Sequence, residues 1–480
     1  MNRASGVLLP LSSLPGGYSI GAPGREARQF IDLLAAGGFS YWQVLPFCLP
    51  GEGNSPYKSY SAFSYNYALI DLPTLTARGL LTAGELAAAA ETTPYLCEYE
   101  RLGRERFPLL CRAASRLGGS EREPVYRFLE SNAGVEKFCR FMALRKANGG
   151  KPWRAFDTDR YDPDYYFAWA FTQYEFCRQW ADLRTYAAAH GVRLMGDIPI
   201  YVDYESADVW ADRQLFLLNE DNLPAAVAGV PPDYFSETGQ LWGNPLYDWD
   251  RMAEDSYAWW RERLRHTLSS FDCVRIDHFR AFASYYPIPA DAEDARAGHW
   301  CKGPGEDVID RLREVAAPGQ IVAEDLGGEA PEVKELLHYS GFPGMRVFQF
   351  AFLDEDPANT HLPYNYPHNT VSYTGTHDND TLLGFLFSRT EGERRRIFDY
   401  CGYAGSDMNE GFSAVLRTMY ASHAGLFILP LQDLLRYGED TRINRPGTPR
   451  GNWEYRVTAA QLASIDPAPY AALAKTYGRK

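Results

Sequence analysis

The stretch Cys273-Val-Arg-Ile-Asp-His-Phe279 decides the fold class, because a short apolar run ends there in a carboxylate and a histidine. Two later stretches end in a similar way, Val322-Ala-Glu-Asp-Leu326 and Tyr373-Thr-Gly-Thr-His-Asp-Asn-Asp380. Short runs rich in Val, Ile, Leu and Phe are typical of parallel strands buried on both faces. Carboxylates at the carboxyl ends of several such strands indicate a parallel barrel, whose functional groups collect at that end.

Eight apolar runs of this kind occur along the 480 residues, and most are followed by a helical pattern. The runs cover residues 6–11, 41–46, 193–200, 273–279, 321–326, 345–352, 371–378 and 426–431. Helical periodicity lies between them at 27–36, 333–340 and 411–423. This alternation predicts an α/β fold, a (β/α)8 TIM barrel that forms a single catalytic domain over residues 1–480.

Two connections are too long for a simple strand–helix–strand unit and predict insertions after strands 2 and 3. The first, residues 47–192, contains helical patterns at 83–90, 135–147 and 167–189, and is predicted to be a largely helical subdomain. The second, residues 201–272, is rich in glycine, proline and aromatic residues between positions 229 and 245. Because long connections with little regular structure are commonly functional, we expect this loop-rich insertion to form part of the binding cleft.

The charge balance argues against nucleic acid as a partner. The chain carries 48 Lys and Arg residues against 62 Asp and Glu residues, a net charge of −14 at pH 7, and it has no concentrated basic patch. Such a surface repels a phosphate backbone. Neutral or weakly charged ligands are therefore favoured.

Neither a membrane nor a secreted, disulfide-linked protein is indicated. No apolar run reaches the roughly 18 residues that span a bilayer, and residues 1–10 lack the long apolar core of a signal peptide. The eight cysteines are scattered, without a C-x-x-C pair or a Cys/His cluster at zinc spacing. We expect a reducing, cytoplasmic compartment and no structural metal.

Three carboxylates, Asp277, Glu324 and Asp378, are the candidate catalytic residues. Each alone could be a cap or an ion-pair partner, but carboxylates that converge on one face repel each other and are retained mainly for function. Glycoside cleavage needs one carboxylate to attack the anomeric carbon and another, kept protonated by its surroundings, to donate a proton to the leaving oxygen. A third can stabilise positive charge on the sugar ring. The sequence therefore indicates chemistry on a glycosidic bond.

Six motifs identify the nearest family. They are Trp42-Gln-Val-Leu-Pro46, Ser55-Pro-Tyr57, Pro231-Pro-Asp-Tyr-Phe235, Arg275-Ile-Asp-His278, Ala323-Glu-Asp-Leu-Gly327 and Gly375-Thr-His-Asp-Asn-Asp380. With these motifs the chain resembles the 4-α-glucanotransferases called amylomaltases or disproportionating enzymes, relatives of the α-amylase superfamily. The resemblance extends from Ser5 to the Gly451-Asn-Trp453 segment and so covers nearly the whole chain.

The resemblance implies a role for each candidate catalytic residue. Asp277 would be the nucleophile that forms a β-glucosyl-enzyme intermediate, Glu324 the general acid and then base, and Asp378 the stabiliser of the transition state. Arg275 lies two residues before Asp277, on the same side of the strand, and would keep that carboxylate ionised. His278, His377 and Asp197 would line the donor sugar subsite.

Further binding residues follow from the same resemblance, together with one departure from the family. Ser55 and Tyr57 match residues near the donor side, and a mobile loop over the acceptor region is matched by Tyr234, Phe235, Gln240 and Trp242. Asp233, in the same motif as Tyr234, is a further substrate-binding candidate. The departure is Ala281, where the family commonly has glycine. The resemblance implies no cofactor and no metal.

The predicted activity is transfer of α-1,4-glucan segments from a glucan donor to the 4-hydroxyl of an acceptor glucan or glucose, by a retaining double displacement. Two alternatives stay open at this point, a retaining α-glucan hydrolase and a non-catalytic glucan-binding scaffold. Transfer and hydrolysis differ only in whether a sugar or water resolves the covalent intermediate. The sequence leaves the oligomeric state and the preferred chain length undecided.

Overall fold

Eight parallel strands form the centre of the computed structural model, which describes residues 3–232, 236–327 and 330–479. The strands are β1 (Ala4–Leu8), β2 (Tyr41–Gln43), β3 (Arg193–Ile198), β4 (Cys273–Ile276), β5 (Ile321–Ala323), β6 (Gly344–Val347), β7 (Thr370–Tyr373) and β8 (Leu426–Pro430). Each overlaps one predicted run.

The sheet is nearly closed as a barrel. Its strand order runs from β5 back to β1 and then from β8 to β6, so neighbours in sequence are neighbours in space. The Ala323 N–H donates a 2.9 Å hydrogen bond to the Pro343 carbonyl, which links β5 to the start of β6. The predicted α/β barrel is confirmed.

Helices alternate with most of the strands. The helices that precede or follow a barrel strand directly are Arg25–Ala36, Pro163–Ala189, Ala258–Ser270, Glu306–Arg313, Pro331–Ser340, Met408–Ala421 and Leu431–Leu435. The connection from β6 to β7 has only the short 3-10 turns Phe348–Phe352 and Pro363–Asn365 among its residues, all of which the structure describes. Prolines at 357, 363 and 367 explain this, since each removes a backbone donor from any helix.

Long connections after β2 and β3 carry the insertions. The first holds the helices Leu72–Ala77, Ala83–Ala88, Tyr99–Ser115, Gly119–Glu130 and Ala133–Ala147 before Pro163–Ala189. The second holds Ala207–Ala211, Trp249–Glu254 and an antiparallel hairpin, Ala226–Val230 with Gln240–Pro245, to which Pro287–Pro289 adds a third strand. The hairpin lies where the glycine- and proline-rich sequence predicts loops. The limits 47–192 and 201–272 stay predictions.

The rest of the α-helical and short-strand structure follows β4, β7 and β8 along the chain. It consists of the paired strands Ser284–Tyr285 and Cys301–Lys302, and of the helices Leu382–Ser388, Glu391–Tyr400, Ala459–Ala463 and Ala468–Thr476. Within the described ranges, no helix is both long enough and apolar enough to cross a membrane.

One long helix fixes the first insertion to the barrel. Pro163–Ala189 begins after Asp162, whose side chain caps it by accepting from the Asp164 N–H, with proline at its first position. Its Trp180 packs against Trp42 of β2 and donates its indole N–H to the Ser270 carbonyl. The aromatic contacts and this buried hydrogen bond hold the helical insertion against the outside of β2.

Alternate side chains of the strands point into the barrel, and this alternation brings charged groups to one end of it. Apolar residues fill the interior of the barrel. On three strands, a charged residue lies two positions after an inward-pointing apolar residue and therefore points into the barrel as well. These apolar and charged pairs are Met195 and Asp197, Cys273 and Arg275, and Val322 and Glu324. The barrel interior is therefore apolar towards the amino ends of the strands and charged at their carboxyl ends.

Candidate active site

The candidate catalytic carboxylates lie at the carboxyl end of the barrel. Asp277 directly follows β4, and Glu324 directly follows β5. Hydrogen bonds from the Asp277 N–H to the Ile198 carbonyl (2.9 Å) and from the Glu324 N–H to the Ile276 carbonyl (3.0 Å) continue the ladder beyond the strands. Both backbones are therefore as well fixed as the sheet itself.

Arg275 joins two of the carboxylates. It lies opposite Asp197 in the register of β3 and β4 and donates a 2.7 Å hydrogen bond to the Asp197 Oδ2. Its other terminal nitrogen donates to the Asp277 Oδ1 at 2.6 Å. The Arg275 side chain is 5% exposed, whereas the Asp277 side chain is 29% exposed. The guanidinium thus orients one oxygen of Asp277 from below while the carboxylate faces the cleft.

Asp197 lies beneath the site surface. Its side chain is fully buried, and its Oδ2 accepts a second hydrogen bond, of 2.7 Å, from the Tyr57 hydroxyl. Burial raises the pKa of Asp197, and the positive charge of Arg275 opposes this rise. In this conformation Asp197 supports Tyr57 and Arg275 and has no exposed surface towards the cleft.

Glu324 is held by two backbone donors. Its Oε2 accepts from the His278 N–H at 2.8 Å, and its Oε1 accepts from the Leu326 N–H at 2.7 Å. His278 is the residue after Asp277, so the two carboxylates meet at the same end of the barrel. Burial raises the pKa of Glu324 to about 7, with Arg275 lowering it and the charge of Asp277 raising it further. This carboxyl group can therefore hold a proton near neutrality.

The third carboxylate, Asp378, lies in the loop after β7. Asn444 donates to its Oδ1 at 2.6 Å, and the His377 Nε2 lies 3.3 Å from its Oδ2. Its side chain is 44% exposed, compared with 29% for the side chain of Asp277. Arg442 also donates to the Asp378 carbonyl at 2.9 Å. Asn444 and His377 thus orient the Asp378 carboxylate, which stays partly exposed to the cleft.

Three rings form an aromatic wall beside these acids. Tyr57 stacks on His377 with a centroid distance of 5.1 Å and an interplanar angle of 13°, and both lie within 6 Å of the Trp453 ring centroid. Burial raises the pKa of Tyr57, and the charges of Asp197, Asp277 and Asp378 raise it further. Tyr57 is therefore close to three carboxylates and keeps its proton.

His278 joins the acids to the hairpin. It adopts a left-handed backbone conformation with φ 46°, a strained geometry that tends to occur at functional sites. Its ring contacts the Trp242 ring edge-to-face at 4.8 Å, and Trp242 donates its indole N–H to the Gln240 Oε1 at 3.0 Å. Burial lowers the pKa of His278 to about 4, so its imidazole is neutral at pH 7.

The remaining candidates divide into two groups. Ser55 accepts the Tyr57 N–H at 3.3 Å and so lies beside the aromatic wall. The candidates Asp233, Tyr234 and Phe235 lie outside the described residues. The described candidates are joined in one network of hydrogen bonds, ion pairs and ring contacts. Its members are Asp277, Glu324, Asp378, Arg275, Asp197, His278, His377, Tyr57, Ser55, Gln240 and Trp242.

Sequence reasoning missed the segment that covers Asp378 from the far end of the chain. Asn444 donates its backbone N–H to the His377 carbonyl at 3.1 Å, in addition to its side-chain bond to Asp378. Trp453 belongs to the aromatic wall, although its motif served only to mark the extent of the resemblance. An asparagine and a tryptophan in a polar loop carry no periodic signal, so only the fold reveals them.

Ala281, which stands where the family commonly has glycine, fits the backbone without strain. Ala281 lies in the 3-10 turn Phe279–Phe282, is fully buried, and is absent from the positions with positive φ. Any residue with a Cβ atom adopts such a conformation without strain. The backbone after the Asp277 motif therefore does not require glycine at this position.

The raised pKa of Glu324 predicts the pH dependence of catalysis. Because only the protonated carboxyl group can donate to a leaving oxygen, and its pKa is about 7, kcat/KM for maltotriose should fall as pH rises through about 7. The fall should approach tenfold per pH unit above this point. Steady-state kcat/KM between about pH 5 and 9 measures it.

A control separates Glu324 from a second buried acid. Burial also raises the pKa of Asp433 to about 7. If Glu324 is the group that titrates, the Asp433→Asn variant should show the same fall of kcat/KM above about pH 7. If the fall of kcat/KM with rising pH disappears in that variant, or begins near pH 4 in the parent protein, Glu324 is not the group that titrates.

Comparisons with known proteins agree with this arrangement. A family model described as 4-alpha-glucanotransferase matches residues 9–462. The chain is 41% identical over 500 residues to a 4-alpha-glucanotransferase from Thermus thermophilus, covering 99% of both chains. It is 39% identical over 500 residues to one from Synechocystis, covering 100% of this chain and 98% of that relative.

A solved structure shows the same similarity in three dimensions. The amylomaltase from Streptococcus agalactiae, determined in complex with acarbose, superimposes with a TM-score of 0.95 at 34% sequence identity. The match covers 100% of both chains. With the barrel, the cluster of acids and these similarities, the chain belongs to the 4-α-glucanotransferase family.

Proposed function

We propose that this protein transfers segments of α-1,4-glucans to the 4-hydroxyl of an acceptor glucan or glucose by retaining double displacement. The observation that carries the proposal is the difference between two carboxyl groups at one end of the barrel. Asp277 is partly exposed and accepts from Arg275, whereas burial raises the pKa of Glu324 to about 7. A nucleophile and a proton donor are the two groups that this chemistry requires.

In the first half-reaction, the Asp277 carboxylate attacks the anomeric carbon of the donor. The bond from that carbon to the glycosidic oxygen breaks, and Glu324 gives its proton to the leaving 4-oxygen. Asp378 stabilises positive charge that develops on the ring. The products are a covalent β-glucosyl-enzyme and a free shorter glucan or glucose.

In the second half-reaction, the ionised Glu324 acts as a base. It takes the proton from the 4-hydroxyl of an acceptor sugar, whose oxygen attacks the anomeric carbon and displaces Asp277. Two inversions restore the α-configuration. Glu324 is again protonated and Asp277 is again ionised, so the proton count closes.

Aromatic residues supply the binding surface for the sugar rings. We assign the wall of Tyr57, His377 and Trp453 to the donor side, and Trp242 with Gln240 to the acceptor side. The contact of the Trp242 ring with the His278 ring supports a place for Trp242 beside the acids. Flat rings suit apolar sugar faces. We assign Asp233, Tyr234 and Phe235 to the acceptor side on the basis of their motif alone.

The second insertion and the cell compartment are part of the proposal. The hairpin in residues 201–272 supplies Trp242, which supports the assignment of this insertion to the cleft. Scattered cysteines without a pairing pattern support a cytoplasmic location.

Incubation with maltotriose distinguishes transfer from its alternatives. Transfer produces glucose together with longer oligosaccharides while the number of reducing ends stays constant. A hydrolase increases the number of reducing ends, and a binding scaffold leaves maltotriose unchanged. We expect the first result, by chromatography of the products with a reducing-end assay on the same samples. A rise in reducing ends equal to the number of bonds cleaved would establish a hydrolase instead.

A further inference from the structure

A fully buried carboxylate, Asp433, lies outside the cluster of catalytic candidates. It belongs to the helix Leu431–Leu435, which begins directly after β8. Its Oδ2 accepts a 2.6 Å hydrogen bond from the Thr374 hydroxyl, and its Oδ1 accepts a 2.8 Å hydrogen bond from the Leu382 N–H. Thr374 and Leu382 are fully buried as well.

These two donors bracket the loop that carries the third catalytic candidate. Thr374 is the first residue after β7, and Leu382 is the first residue of the helix Leu382–Ser388. His377 and Asp378 lie between them. One carboxylate therefore fixes both ends of the loop 374–382, while its middle is held by Asn444 at the Asp378 side chain.

The surroundings of Asp433 indicate that its negative charge lowers the stability of the fold. No ion pair to Asp433 is found in the described part of the chain, and burial raises its pKa to about 7, with Asp380 adding to the rise. A buried charged group without a counter-ion destabilises a fold, so neutral residues are normally preferred. A carboxylate, however, is the side chain that can accept on both oxygens without presenting a donor.

We propose that Asp433 is a positioning residue for Asp378, acting by fixing both ends of the loop 374–382. Asp433 does not touch substrate, since it is buried behind the loop. Its effect is on the rate of the chemical step, because a displacement of about 1 Å in a catalytic group costs about 100-fold. The inference rests on the proposed role of Asp378 as stabiliser of the transition state.

The main test is the Asp433→Ala variant assayed with maltotriose. It removes both acceptors, so we expect kcat to fall by about 10-fold to 100-fold while KM changes by less than about threefold. Asp433→Asn should lose less, because its amide oxygen still accepts from Leu382 and its NH2 group can donate to the Thr374 oxygen. A kcat within twofold of the parent in folded Asp433→Ala would overturn the proposal.

Two further variants guard against a purely structural explanation. Thr374→Val removes one donor with little change in shape and should lower kcat in the same direction, even if Asp433→Ala fails to fold. Glu175 is a fully buried carboxylate of the helical insertion, paired with Arg78 and Arg178. Glu175→Gln should lower thermal stability and leave kcat of the folded protein unchanged. An equal loss of kcat in Glu175→Gln would overturn the specific role.

The double variant separates this inference from the proposed function. If Asp433 acts through Asp378, Asp433→Ala should add little to the loss already caused by Asp378→Asn. A further multiplicative loss would overturn the positioning role and leave the function intact. Full activity of Asp378→Asn alone would instead remove the proposed role of Asp378.

Discussion

The Asp277→Asn variant is expected to lower kcat for maltotriose disproportionation by about 10,000-fold or more, as removal of a catalytic nucleophile typically does. An amide nitrogen in place of one oxygen cannot form the glycosyl ester on which double displacement depends. The fold should persist, because an amide oxygen can still accept the hydrogen bond from Arg275. Glucose release over several hours, with thermal unfolding of the same preparation, measures both effects.

Asp250→Asn is the matched control for this experiment. Asp250 is exposed, in the first turn of the helix Trp249–Glu254, and none of the acids of the cluster contacts it. The same chemical change there should leave kcat within about twofold, as is usual for exposed positions. If Asp277→Asn retained more than a few per cent of parental activity, another group would have to be the nucleophile.

Loss of Glu324 should affect substrates according to their leaving group. In Glu324→Ala, kcat for maltotriose is expected to fall by about 100-fold to 10,000-fold, the usual contribution of general acid–base catalysis. An α-maltosyl fluoride needs no proton on its leaving fluoride, so the first half-reaction should proceed. Because no base then activates the acceptor, the glycosyl-enzyme should accumulate.

Mass spectrometry of the intact Glu324→Ala protein after reaction with the fluoride checks this expectation. The covalent adduct should carry one maltosyl group, and a peptide digest should place it on Asp277. Added azide, a nucleophile that needs no base, should restore turnover and release an α-azide, because its attack on the β-glycosyl-enzyme is the second of two inversions. A β-azide, the product of a single direct displacement, or no adduct on any residue, would contradict double displacement.

Alanine is the better substitution at Glu324 for a structural reason. Both oxygens of Glu324 accept backbone N–H groups, from His278 and from Leu326. A glutamine would turn its NH2 group towards one of these donors and disturb the loop that carries His278. Alanine instead opens space into which azide can enter.

Much of the fold could be predicted from local sequence. The eight apolar runs became eight strands because parallel strands buried on both faces need continuous apolar side chains, as Leu426–Pro430 and Ile321–Ala323 show. The helix at 25–36 was predicted to within two residues at its start, since its apolar spacing has a clear helical period. The hairpin at 226–245 was missed, because each of its strands contains a glycine and neither shows a regular alternation of apolar and polar residues.

The candidate site was predicted in part. Asp277 and Glu324 could be found because each follows directly on a strand, and strand ends share one face of a barrel. The contact of Tyr57 with Asp197 joins residues 140 positions apart and has no local signal. The same holds for Asn444 and Asp378, which are 66 positions apart.

The sequence by itself determined which side chains point into the barrel and which carboxylates end its strands. Both follow from the two-residue period of a strand, a local property of the backbone. Only the tertiary structure decided that Glu324 is buried enough to hold a proton near neutrality and that Asp433 fixes the loop of Asp378. Desolvation and hydrogen bonding depend on atoms brought from distant parts of the chain, and these are set by the packing of the whole fold.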